Sequence, residues 1–204
     1  TNAGISGETT AALVRRLDWL LEGEFDVIVV ETGANDGLRG IPVETARENI
    51  DLVLTRIRAS RPDALVVLVA MESPPNLGAA YTEAFREMYA GLTQKHDAVL
   101  MPFLLDGVAG ETRFNQADGI HPNEEGAEKV AANVWRTLAP LLAERASRAA
   151  APPVMRATCR CVSIAWTPPL PTSPMRWRVP PDRFTRSHAP TKASLRLPRA
   201  WSLI

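Results

Sequence analysis

Apolar positions along the first 142 residues switch repeatedly between two periods. Leu13, Leu17, Leu20 and Leu21 fall at i, i+4, i+7 and i+8, which lines one face of a helix. Thr9 or Thr10 stands where a hydroxyl caps the first turn of such a helix. Phe25-Asp26-Val27-Ile28-Val29-Val30 follows, a short β-branched run that reads as a strand buried on both faces. Helical spacing returns at Ala46, Ile50, Val53, Leu54 and Ile57, and Pro62 ends that segment. Residues 64–70 read as a second buried strand. Tyr81, Phe85, Met88, Tyr89 and Leu92 form a third helical stripe. Residues 98–101 make a short third strand stopped by Pro102, and Ala127, Val130, Ala131, Val134, Leu138 and Leu141 mark the last helix.

Helices and short apolar strands in alternation predict an α/β fold, a three-layer α/β/α arrangement around a parallel sheet. In such sheets, functional loops collect at the carboxyl ends of the strands. Asn35 follows the first strand, Ser73 follows the second, and Asp118 and His121 sit in a loop after the third. Segments far apart in sequence are thus expected to meet at one edge.

The charge distribution divides the chain. Residues 1–150 carry 14 Lys+Arg against 22 Asp+Glu, a net of −8, and residues 151–204 carry the compensating +8. Ten of the 17 prolines also lie after Ala151. We read a domain over residues 1–145 and a basic, Pro/Arg-rich tail over 146–204 that is expected to be disordered. Its abrupt composition also fits an out-of-frame extension. Its arginines and aromatics permit a nucleic-acid or anionic-membrane reading, but solvated disorder is the preferred one, and no nucleic-acid partner is expected. Cys159 and Cys161 are too few for a zinc site and poorly spaced for an ordinary disulfide. No apolar run approaches the ~20 residues that span a bilayer. Phosphate loops, dinucleotide fingerprints and metal-ligand clusters are absent from the sequence, so no metal or cofactor is expected.

The candidate chemistry begins at Asp118-Gly119-Ile120-His121-Pro122. A carboxylate three residues before an imidazole can hold its tautomer and orientation, which suits a histidine base. Taken alone, such a pair is more often a surface contact. Two further segments weigh against that: residues 2–9, which contain Ser6 and Gly7, and Glu31-Thr32-Gly33-Ala34-Asn35-Asp36-Gly37.

In this order, the three segments resemble the SGNH (GDSL-type) hydrolases, most closely the bacterial arylesterase, acyl-CoA thioesterase and lysophospholipase group. The likeness runs from Asn2 to about Leu142. Gly7 matches the family's second block, Asn35 its third, and Asp118 with His121 its fifth. The resemblance implies a flavodoxin-like fold and a Ser-His-Asp mechanism on short acyl or aryl esters, thioesters or lysophospholipids. His121 would be the base, Asp118 its partner, and Gly7 and Asn35 the oxyanion donors. The loop containing Ser73, Pro74 and Asn76 would line the substrate side. Many relatives are exported, which implies a periplasmic or secreted setting, although the sequence itself fixes no compartment.

One block departs from the pattern. No Gly-Asp-Ser occurs in the 204 residues, so the family's nucleophile is unmatched. Either the chain is an N-terminally truncated portion of a longer enzyme, or it works without the family's nucleophile, with His121 and Asp118 activating water directly. The competing reading is a catalytically inactive fragment or interaction module. Ser6 is a weak replacement candidate, beside Gly7. The resemblance also implies two strands ahead of Asn2, one of them central. Without them the first visible strand is expected to present an apolar edge that invites self-association. The tail, proline-rich and aperiodic, is not expected to replace them.

Overall fold

In this computed structural model the described residues are 1–150 and 161–164, with side chains described through residue 148. The chain builds α1 (Thr10–Leu20), β1 (Val27–Glu31), α2 (Ala34–Leu38), α3 (Val43–Ser60), β2 (Leu65–Val69), α4 (Ala79–Lys95), β3 (Val99–Met101), α5 (Glu124–Ala150) and β4 (Cys161–Ile164). Single 3-10 turns at Pro75–Leu77 and Thr112–Phe114 precede α4 and α5.

The strands form one parallel sheet in the order β3-β2-β1-β4. Val27 pairs with Leu65, and the register continues to Glu31 with Val69. Val67 pairs with Val99 on the far side of β2. Strands buried on both faces need helices packed against them, and α4 packs on β2 and β3. The predicted faces of α1, α3 and α4 are buried apart from the half-buried Tyr81. On the predicted face of α5 only Val130 is fully buried, and Val134, Leu138 and Leu141 are half-buried against the core. Leu13 and Leu17 of α1, Ile50, Val53, Leu54 and Ile57 of α3, and Phe85, Met88, Tyr89 and Leu92 of α4 join the strands in one core. Each such aliphatic side chain contributes about 1.5–3 kcal/mol on burial. α3 packs against both α1 and α4.

Three expectations need amendment. The first is the cap of α1. Thr9 occupies the N-cap by its backbone, but its side chain makes no capping bond. Thr10 lies inside the helix with its hydroxyl buried. The acceptor comes instead from Asp36, 26 residues away, a contact that local patterning cannot show. The second is the edge of β1, where β4 from the tail pairs in parallel, Val27 with Cys161 through Val30 with Ile164. Four residues suffice for that strand, so a proline-rich setting does not exclude it. The third concerns α5, which continues through residue 145 to Ala150 and contains Pro140. The disorder expected elsewhere in the tail, and Cys159, lie outside the described residues.

Candidate active site

Two groups of candidate residues follow strands of the one parallel sheet, one after β1 and the other in the loop after β3, with β2 between those strands.

The first group is held by α2 and the loop ahead of α1. Gly33, at φ +101°, turns the chain out of β1 into α2. A side chain there would meet the Tyr89 hydroxyl, which donates to the Thr32 carbonyl at 2.8 Å. Behind this turn, Tyr89 meets Phe85 edge-on and Phe85 stacks with Tyr81. Asn35 is buried and sends its Nδ2 to the Glu8 carbonyl at 3.1 Å. Gly7, at φ +75°, is half-buried, and its carbonyl accepts Arg39 Nη2 at 3.1 Å. Glu8 is fixed in turn by a two-pronged contact with Arg16 at 2.5 Å. The predicted donors Gly7 and Asn35 are therefore brought together through Glu8.

The second group lies in a tight loop. Asp118 Oδ1 accepts the backbone N–H groups of Ile120 and His121, each at 2.9 Å. Its Oδ2 makes a very short contact with His121 Nδ1. The two backbone bonds come first among the causes that lower the Asp118 carboxyl to about 2, and the His121 ring adds to them. Gly119, at φ +71°, lets the loop close this tightly. His121 shows 16 % of its side chain to solvent and Asp118 43 %. The His121 carbonyl accepts Gln116 N, and Asn115 bridges to Pro122. Asn123 Oδ1 then caps α5 by accepting Gly126 N at 3.0 Å. That cap is readable in the sequence as an Asn three residues before Gly126, and it anchors the His121 loop to a long helix.

The remaining candidates separate. Ser6 is exposed. Ser73 is buried, and its hydroxyl finds no partner among the described residues. It packs against Gly37, where a Cβ would meet Ser73 Cβ at 3.3 Å. Pro74 is half-buried and Asn76 is exposed in the 3-10 turn. Among the described residues, no group of three or more His, Cys, Asp or Glu could hold a metal.

Comparison with known proteins gives this geometry a context. Residues 1–129 match the GDSL-like Lipase/Acylhydrolase family. Esterase TesA of Pseudomonas aeruginosa is 41 % identical over 142 residues, 69 % of this chain and 70 % of the relative. Thioesterase 1/protease 1/lysophospholipase L1 of Escherichia coli is 33 % identical over 142 residues, 69 % of this chain and 67 % of the relative. Among solved structures, the psychrotrophic esterase EstA from Pseudoalteromonas sp. matches with a TM-score of 0.66 and 34 % identity, covering 70 % of this chain and 77 % of that one.

Proposed function

Because the chain belongs to the GDSL-like lipase/acylhydrolase family of esterase-type serine hydrolases, we propose that Asp118, His121, Gly7 and Asn35 are parts of one acyl-transfer site. Its substrates are short acyl or aryl esters, thioesters or lysophospholipids. The reading is carried by the Asp118–His121 contact. With Nδ1 held by the carboxylate, Nε2 is the ring atom assigned to take a proton. An attacking hydroxyl adds to the carbonyl carbon and gives its proton to Nε2. Asp118 stabilises the imidazolium that results. The carbonyl oxygen gains the negative charge and accepts from Gly7 N–H and the Asn35 amide. Collapse of the adduct returns the proton to the leaving alkoxide or thiolate.

The nucleophile is the part of the family pattern that these 204 residues do not match. That observation favours a second reading, a domain that keeps the fold and the two half-sites without turnover. Hydrolysis of p-nitrophenyl acetate and p-nitrophenyl decanoate by the purified chain tests the two. Turnover that His121→Ala reduces about 10²-fold or more supports the enzyme. Turnover absent, or equal in both proteins, supports the inactive domain.

A further inference from the structure

We infer that Asp36 is a positioning residue, a remote cap of α1 whose carboxylate holds residues 7–10 in register with Asn35. The inference rests on the proposed oxyanion role of Gly7 and Asn35.

α1 begins at Thr10, so the Thr10 N–H is among the donors that the helix itself leaves unpaired. Asp36 Oδ2 accepts it at 2.9 Å, and Oδ1 accepts the Thr10 hydroxyl at 2.6 Å. The hydroxyl in turn accepts Asn49 Nδ2 at 3.1 Å. Thr10 is 0 % exposed and Asp36 1 %. The carboxylate also faces the positive end of the α1 dipole.

A carboxylate suits this arrangement. Thr10 sends its N–H and its O–H to separate oxygens of Asp36, and an amide in the same place would set an N–H₂ donor against one of those two donors.

The consequence for the site follows from spacing. Asn35, Asp36 and Arg39 leave one turn of chain and grip Glu8, Thr10 and Gly7 respectively. Of the three contacts, that of Asp36 is the buried, doubly bonded one. Gly7 is three residues from Thr10, so movement of the helix start moves the Gly7 N–H. Displacing a group in the site by about 1 Å costs on the order of 10² in rate.

The test uses ¹⁵N-labelled full chain with Asp36→Asn, Thr10→Val and Thr10→Ser. Backbone order parameters are read at residues 7–10, with Val67 and Leu68 of β2 as a remote control. We expect Asp36→Asn and Thr10→Val to lower the order parameters at residues 7–10 below about 0.6, with β2 unchanged. Thr10→Ser, which keeps the hydroxyl, stays as wild type. Where ester turnover is measurable, kcat falls about tenfold or more with KM kept, and Thr10→Ser retains it. Unchanged order at residues 7–10, loss of order that extends equally to β2, or an unchanged kcat in a turning-over enzyme overturns the inference. Should Asp36→Asn not fold, the Thr10→Val and Thr10→Ser pair decides. Absence of turnover bears on the hydrolase reading alone, because the order parameters judge the positioning separately.

Discussion

Asp118 holds His121 twice, Oδ1 taking its backbone N–H at 2.9 Å and Oδ2 contacting its ring Nδ1. The pair is therefore set by a loop of four residues and not by distant packing. Loop bonds of this kind, from a carboxylate to N–H groups two and three residues ahead, form readily in the unfolded chain's own local geometry. The proposed base is thus locally encoded, while the proposed oxyanion donors Gly7 and Asn35 depend on tertiary contacts.

The Asp118 carboxyl, lowered from 3.8 to about 2 by the backbone bonds and then by the His121 ring, should titrate with a midpoint near 2 by ¹³C NMR. The sign follows from the depression: its contribution to stability is present above the ordinary carboxylate value and is lost as pH falls toward 2. Asp118→Asn removes the carboxylate and allows the wrong tautomer, so any ester turnover should fall on the order of 10²–10⁴-fold. A midpoint near 4 would show that the loop does not hold the carboxylate as described.

Glu31 ends β1, half-buried, and burial raises its carboxyl from 4.5 to about 7. The native state then binds this proton more tightly than the unfolded chain. The associated stability is fully present below about pH 4.5 and is lost as pH rises through about 7. Glu31→Gln should remove that slope and stabilise the protein at pH 8 by up to about 3 kcal/mol. Urea denaturation of both proteins at pH 4.5 and pH 8 measures the difference. An equal effect at the two pH values would place the carboxyl in solvent.

Gly33 and Gly91 should respond in opposite directions. Gly33 has φ +101° and faces the Tyr89 hydroxyl, so Gly33→Ala should cost about 2 kcal/mol or more and loosen Asn35. Gly91 lies inside α4, exposed, with nothing within 4 Å of an added Cβ. Gly91→Ala should stabilise by roughly 0.5–1 kcal/mol. Thermal melts of the two variants check both signs, and a tolerated Gly33→Ala would contradict the tight turn.

What the sequence made legible was what local periodicity and local chemistry encode. The helical stripes at Leu13–Leu17 and Phe85–Leu92 repeat every turn, so each declares its buried face without its partner. The β-branched runs of β1 and β2 did the same. Asp36 is different. It reads as a turn residue in Gly33-Ala34-Asn35-Asp36, and only folding puts it under Thr10. Ser73 lies in the loop after β2, just ahead of two prolines. It is buried and packs closely against Gly37, a contact that the local sequence does not show. β4 is only four residues, and its two β-branched positions, Val162 and Ile164, are too few to stand out from the proline-rich sequence around them.

The most direct test of one shared site is a double-mutant cycle in ester hydrolysis with His121→Ala, Asn35→Ala and the combined variant. The two half-sites, acting on a single carbonyl group, predict that each single change lowers kcat/KM and that the combined loss is smaller than the product of the two. Strictly multiplicative losses, or no loss from either change, would contradict the account.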